Sequence, residues 1–473
     1  MRIVEATLIA AAVAVWLRAL VSVPRAPVLA TMLIALSLLQ FAIEGWRRPL
    51  LPLYVAVLIT AFSLFWPVLR SGWAGFSALS VSGALLGIAA LAVLLLPAPV
   101  WPTLTGPFQV GVRALALAEP PVTTALPDAQ ALAQPPPRIQ IWYPTKTPPP
   151  NWTEPAFWRD RAGRITRPYA ASPAVDEAPL VTDGMFPVVT YFPGWPGTGV
   201  ENTALIRELV SHGYVVVSLA YPARLPGMSE AYWQALVREL ERPLYFGDEA
   251  QYRTLVAVSI ERVHHRANDA VRALDRLQAD ATGKPDSPFY QRLDWHRVAA
   301  VGFSLGGATA AQAALQDPRY QAVVNMDGRH WAEAREMGVR QPYLMLSEIL
   351  ALPTSKDLNS SNIDWRYNSI EDLDDYTQLN KNLRRNGGLH VTVRPAAHMN
   401  FTDLALRSPW PRLTEGGHIN GRRGLMIQRA YVLAFLDRWL NGRDSPLLHA
   451  DTPSPFPEVT VEDYGPPKNP AAP

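Results

Sequence analysis

The segment RVAAVGFSLGGATAAQAALQ, residues 297–316, restricts the fold more than any other part of the chain. Val298 to Val301 form a continuous apolar run, as expected of a strand covered on both faces. Ala308–Gln316 has the alanine-rich composition of a helix. Between them stand Gly302-Phe303-Ser304-Leu305-Gly306-Gly307, so a buried strand must turn into a helix within very few residues. Small residues at 302 and 306 allow the two elements to close up, while Ser304 takes a strained backbone conformation at the helix N terminus. A serine there stands clear of the sheet, where free amides and the helix dipole stabilise negative charge.

The rest of the chain after Gly106 repeats this alternation. Strands are predicted at about Phe108–Leu117, Arg138–Tyr143, Phe186–Phe192, Tyr214–Ala220, Arg297–Phe303, Ala322–Met326, Pro342–Leu346 and His390–Arg394. Helices are predicted at Glu201–Ser211, Ile260–Gln278, Ala308–Gln316 and Gly424–Leu440. Strands followed by helices imply a mostly parallel, eight-stranded sheet with helices on both faces, the first two strands pairing antiparallel at an edge. Residues 223–257 carry no strand and are expected either to cap the site or to form a surface excursion. Residues 446–473 read as a proline-rich tail without a core of its own.

Residues 1–100 differ sharply, with few charges and no lysine. Four apolar runs, Ile3–Val21, Ala26–Ile43, Leu50–Val68 and Ala78–Leu96, are each near the ~20 residues that cross a bilayer. Trp16, Trp46, Trp66, Trp73 and Trp101 fall near their ends, where aromatic rings favour the headgroup region. A transmembrane region over 1–100, a catalytic domain over 101–445 and the tail over 446–473 are therefore expected. Four spans place both ends on one side of the membrane. Arg2, Arg47 and Arg48 favour an inside N terminus and a cytoplasmic domain, while Arg25 and Arg70, with Arg18, oppose it. A net charge of +2 gives no reason to expect a nucleic-acid partner. With no cysteine, disulfides, thiol chemistry and cysteine-ligated zinc are excluded.

A serine hydroxyl needs a base within hydrogen-bond reach before it can attack. His398 is the first choice among nine histidines, because HVTVRPAAHMNF places it directly after the last predicted strand. His418 lies in a loop leading to the final helix, and His212 ends a helix. His264 and Asp269 form an H-x4-D pattern, but within a helix five residues turn ~140° and separate them. The acid that would orient the imidazole is Asp327, ending AVVNMD, or Glu348, ending PYLMLSE one strand later; spacing does not choose between them. A second backbone amide beside that of Leu305 is expected from TYFPGWPGTG, where Gly194 allows close approach and the Trp195 N–H would donate.

Several of these segments together resemble the plasma-type platelet-activating-factor acetylhydrolases and their bacterial relatives, a family of α/β-hydrolases. They are GPFQVGVRALAL with RIQIWYP, YFPGWPGTGVENTALIRELVSHGYVVVSLAYP, GFSLGGATAAQAALQDPRYQAVVNMDG and HMNFTD, covering much of residues 106–405. The resemblance implies an α/β-hydrolase fold, with Ser304 as nucleophile, Asp327 as acid in preference to Glu348, His398 as base, and the Leu305 and Trp195 amides as the oxyanion hole. The chain departs from the family in having Phe303 where histidine is common, Pro193-Gly194 in place of His-Gly, and an apolar N-terminal region absent from the secreted enzymes. The expectation is a serine hydrolase of the bacterial inner membrane that cleaves lipid or small carboxylic esters without metal or organic cofactor. An acyltransferase using the same residues, or a non-catalytic membrane protein with a hydrolase-like binding domain, are the other readings.

Overall fold

A computed structural model describes residues 3–20, 26–44, 50–65, 72–95, 101–115, 137–148, 158–159, 165–166, 174–195, 197, 201–221, 229–240, 247–348, 352–406, 408, 410 and 416–468. The N-terminal hundred residues form four helices: α1 (Ile3–Ala19), α2 (Ala26–Glu44), α3 (Leu51–Phe65) and α4 (Gly72–Leu95). They pack on one another through Leu8, Leu33, Leu53, Ala56, Leu86 and Ala89. The buried Gln40, Thr60, Ser63 and Ser82 are paired within the bundle, as an apolar surrounding requires. Thr60 Oγ1 and Ser82 Oγ lie 2.6 Å apart, and Ser82 Oγ also reaches the Ala56 carbonyl at 3.1 Å.

Among the described residues only Ser77–Leu95 is both long and apolar enough to cross a membrane; Pro27–Ala42 and Leu51–Phe65 are apolar but shorter. The expectation of four full spans is corrected to four helices with one candidate span. The described part of α3 covers 15 residues, about 22 Å against a hydrocarbon core of about 30 Å. Trp16 lies near the end of α1 and is partly buried. Its indole N–H donates to the Leu79 carbonyl at 2.8 Å, and its ring lies against Gly83, inside the bundle.

The remaining strands are β1 (Gln109–Leu115), β2 (Arg138–Thr145), β3 (Trp158–Arg159), β4 (Ile165–Thr166), β5 (Val175–Asp176), β6 (Phe186–Phe192), β7 (Val215–Ala220), β8 (Leu293–Phe303), β9 (Tyr320–Met326), β10 (Tyr343–Glu348), β11 (Leu389–Val393) and β12 (Val459–Asp463). All but the β3–β4 hairpin join one sheet in the order β12-β11-β10-β9-β8-β6-β7-β2-β1-β5. All eight predicted strands are present, but the sheet has ten. The two additions are the two-residue β5, too short to leave a pattern, and β12, which runs antiparallel to β11. The stretch read as a proline-rich tail thus supplies an edge strand and buries Leu448 and Phe456. The prolines between its short elements hid the alternation.

Helices α5 (Thr203–Ser211), α6 (Glu230–Leu240), α7 (Glu249–Gly283), α8 (Leu305–Gln316), α9 (Ala332–Met337), α10 (Ser355–Leu358), α11 (Ile363–Asn386) and α12 (Gly421–Asn441) complete the domain. Two apolar layers result. One packs α7 and α8 on one face of the sheet through Ala267, Leu274, Ala310 and Ala314. The other packs α5 and α12 on the opposite face through Leu205, Leu209, Ile427 and Phe435. The central strands β6–β11 are parallel, so the loops after β6, β8, β9, β10 and β11 gather at one edge.

Candidate active site

Strand β8 ends at Phe303 and α8 begins at Leu305, so the chain turns through Ser304 alone. Ser304 has φ 55° and ψ −126°, a conformation that costs a residue with a side chain on the order of 1–3 kcal/mol. Close approach of strand and helix over-determines it. A Cβ on Gly302 would overlap the Gly306 carbonyl, and one on Gly306 would overlap the Phe192 carbonyl at the end of β6. The Ser304 N–H donates to Met326 O at 2.9 Å, tying the turn to β9. Gly306→Ala is therefore expected to destabilise the protein by about 1–3 kcal/mol, seen as a lowered melting temperature. A melting curve that does not move would show that the turn has room to spare.

Asp327 stands just beyond β9, also at positive φ (57°). Asn325 staples this turn: its Oδ1 accepts the Gly328 N–H at 2.9 Å, and its amide donates to Gly328 O at 2.8 Å. The Asp327 Oδ1 accepts the Glu348 N–H at 2.9 Å, leaving Oδ2 turned to the loop after β11. In that loop Asn400 Oδ1 accepts the N–H groups of Ala397 and Gly417, at 2.9 and 2.6 Å, and so shapes the short helical turn that carries His398. The Phe303 ring lies 4.7 Å from the imidazole, centroid to centroid. His398 Nδ1 is 2.6 Å from Asp327 Oδ2, and its Nε2 is 3.0 Å from Ser304 Oγ. The fold thus brings Ser304, His398 and Asp327, expected from three separate segments, into one chain of hydrogen bonds.

Glu348 lies beside this chain rather than in it. Its carboxylate takes the backbone N–H of His398. Burial and the Asp327 charge push the Glu348 pKa up to about 7, against the pull of His398. Burial also resists charging of His398, but the hydrogen bond and charge of Asp327, with Glu348 behind it, outweigh that and hold its pKa above the ordinary histidine value. Asp327, Glu348 and His398 offer ligand atoms within 4.8 Å of one another, the geometry of a possible metal site. Both ring nitrogens of His398 are already engaged, however, by Asp327 and Ser304.

The loop after β6 lies directly against the serine turn. A Cβ on Gly194 would stand 2.9 Å from a Phe303 ring carbon and 3.1 Å from Ser304 Cβ. Its N–H donates to Glu201 Oε1 at 2.5 Å. Leu305 is the first residue of α8, so its N–H is among those a helix leaves without an internal partner. Asp403, the last residue of HMNFTD, reaches across to the start of α5. Both its oxygens lie 3.2 Å from the Ala204 N, and its own N–H donates to Glu201 O at 2.6 Å. Burial pushes its pKa up to about 8, against the hydrogen bonds from the Ala204 and Thr203 N–H groups.

Two of the rival histidines have other partners, and the third, His418, follows Gly417, whose N–H donates to Asn400 in the loop of His398. His264 pairs with Glu333 at 2.7 Å, whereas Asp269 accepts from the Tyr221 hydroxyl at 3.0 Å. His212 sits 2.8 Å from Thr105 Oγ1. The supports Asn325, Asn400 and Glu201 lie in the segments that resemble the family, but spacing gives them no role, because each acts by holding a backbone turn. A cavity of about 600 Å³ opens over Ser304, walled by Trp195, Leu255, Val256, Leu305 and Trp331. The end of the 223–257 segment therefore forms part of the site wall.

The family model for "Platelet-activating factor acetylhydrolase, isoform II" matches residues 155–445. The chain belongs to this family. Curated relatives are platelet-activating factor acetylhydrolases from three mammals. The Canis lupus familiaris protein is 25% identical over 181 residues, covering 33% of this chain and 38% of that protein. The Cavia porcellus protein is 22% identical over 311 residues, covering 61% and 66%. The Bos taurus protein is 22% identical over 286 residues, covering 57% and 60%. The chain thus spans between about two fifths and just under two thirds of these relatives' lengths. A ferulic acid esterase from Streptomyces cinnamoneus superposes with a TM-score of 0.52 at 23% identity, covering 76% of this chain and 98% of that one. That likeness is one of fold, a mostly parallel sheet with helices on both faces.

Proposed function

We propose that this chain is a membrane-anchored serine hydrolase that cleaves carboxylic esters through an acyl-enzyme. The observation that carries the reading is the relay Ser304 Oγ–His398–Asp327, at 3.0 and 2.6 Å, hung on a serine at positive φ. In this reading His398 Nε2 takes the Ser304 proton as Oγ attacks the ester carbonyl. Asp327 holds the ring in the tautomer protonated at Nδ1 and stabilises the imidazolium that forms. The Leu305 and Trp195 N–H groups receive the oxyanion of the tetrahedral intermediate. His398 returns the proton to the leaving alcohol, and water repeats the sequence to free the acid.

Two observations support the membrane part. Sixteen of the 24 large hydrophobic side chains exposed among the described residues lie between Leu17 and Leu94, a density that marks a surface made for lipid or a partner. The end of α4 also touches the catalytic domain: Ser408 Oγ donates to Leu95 O at 2.5 Å. A site held at that height favours lipid esters, with short or oxidised acyl chains fitting the 600 Å³ cavity. We read the catalytic domain as lying on the cytoplasmic face of a bacterial inner membrane: Arg2, Arg47 and Arg48 support that side, while Arg25 and Arg70, with Arg18, count for the other.

The test is hydrolysis of p-nitrophenyl acetate and of vesicle phospholipids with a short second acyl chain, with products identified in the presence of a competing alcohol. Free acid from both supports the reading. Transfer to the alcohol as the main product would make the chain an acyltransferase, and cleavage of the soluble ester alone would remove the lipid substrate. A chain lacking residues 1–95 should leave the membrane fraction; retention there would overturn the anchor.

A further inference from the structure

Arg266 is buried, 3% exposed, midway along α7, and contacts none of the three relay residues in the hydrogen-bond pattern described above. Its Nη1 donates to the carbonyls of Pro193 and Gly194, at 3.0 and 3.3 Å. The guanidinium lies over the Tyr221 ring at 4.5 Å and 5.9 Å from that of Trp195. A Cβ on Gly197 would stand 2.9 Å from Nη2, so only glycine leaves the guanidinium its place there. One turn earlier, Arg262 stacks on the Trp195 indole at 3.8 Å. Residues 193–195 are therefore gripped from one side by two arginines of a single helix.

The consequence follows from peptide geometry. The Gly194–Trp195 bond is trans, since Arg394–Pro395 is the cis bond among the described residues. In a trans peptide the C=O and the N–H point in opposite directions. Engaging the Gly194 carbonyl therefore turns the Trp195 N–H away from Arg266. The Gly194 N–H is taken by Glu201, so the peptide planes on both sides of Gly194 are fixed before any ligand arrives.

We propose that Arg266 is a positioning residue for the oxyanion hole: by holding the Pro193 and Gly194 carbonyls, it aims the Trp195 N–H at the charge that develops on the substrate oxygen. This rests on the ester-hydrolase reading above. A planar guanidinium suits the task because one nitrogen can serve two carbonyls while its face rests on Tyr221. The effect belongs to the transition state, since the ground-state carbonyl gains little from the same donor.

The experiment compares p-nitrophenyl acetate with its thionoacetate analogue, whose developing sulfur anion accepts hydrogen bonds poorly, in the full-length wild type, Arg266→Gln and Arg266→Lys. Losing one oxyanion donor outright costs about 10²–10³ in kcat; a misaimed donor should cost the oxygen ester about 10–100-fold, with KM nearly unchanged. The thionoester should slow far less, so the ratio of the two rates collapses in Arg266→Gln. That ratio comes from one sample and does not depend on the fraction folded. Arg266→Lys extends the measurement should the glutamine variant accumulate poorly, and its ratio should fall in the same direction. A ratio that stays at the wild-type value, with both esters slowed alike, would make Arg266 a purely structural residue and overturn the proposal. A wild type that hydrolyses neither ester, and whose Ser304 resists a fluorophosphonate, would instead remove the underlying reading.

Discussion

Ser304→Ala is expected to abolish labelling by a fluorophosphonate and to lower ester turnover by about 10⁴–10⁶-fold, while the fold survives. The size follows from the arrangement. The relay members act as a unit, so loss of the nucleophile removes the acyl-enzyme route and leaves only the oxyanion donors and binding. The fold should survive because Ser304 contributes its backbone to the turn: the N–H to Met326 O and the carbonyl to the Gly307 N–H at 2.8 Å. Alanine keeps both bonds. Labelling that persists in Ser304→Ala would place the reactive group elsewhere and end the proposed mechanism.

Asp327→Asn is expected to lower kcat by on the order of 10⁴-fold, since an amide cannot support the imidazolium and favours the wrong tautomer. Glu348→Gln separates the two acids. Glu348 meets the backbone of His398, not its ring, so kcat at high pH should change only a few-fold. Its effect should appear in the pH profile. If His398 is the base it works as neutral imidazole, so kcat/KM should rise with pH through its pKa, which lies above the ordinary value of about 6.5. Glu348, with a pKa of about 7, adds negative charge beside that ring as the pH rises. Removing the charge makes the imidazolium easier to deprotonate, so the acid limb should move to lower pH. A large loss of kcat in Glu348→Gln with little in Asp327→Asn would exchange the two roles.

Much of this site was legible because its determinants are local. The serine turn needs glycines at 302 and 306, and the chain has them where a buried apolar run meets an alanine-rich helix. His398 was singled out by its place after a strand. The choice between Asp327 and Glu348 was not legible from spacing, because both end parallel strands at the same sheet edge. What separates them is the positive φ of Asp327, in the turn stapled by Asn325, with the Asp327 carboxylate on the ring. Arg266 was invisible for a different reason. It sits inside a long helix and acts on carbonyls 72 and 73 residues away in sequence, a relation that no motif records. The edge strand β12 escaped because the short alternating run VTVED stands among prolines.

That edge strand also sets an order of assembly. Strand β11, whose end leads into the loop of the base, has β10 on one side and β12 on the other. Until residues 459–463 have left the ribosome, β11 is a bare margin of the sheet, its amides open to any passing strand. By then the helices of residues 3–95 have long been synthesised. Residues 459–463 are made after the other strands of the sheet, so removing or replacing them should promote association between chains through the open β11 margin before it disturbs the loop of His398.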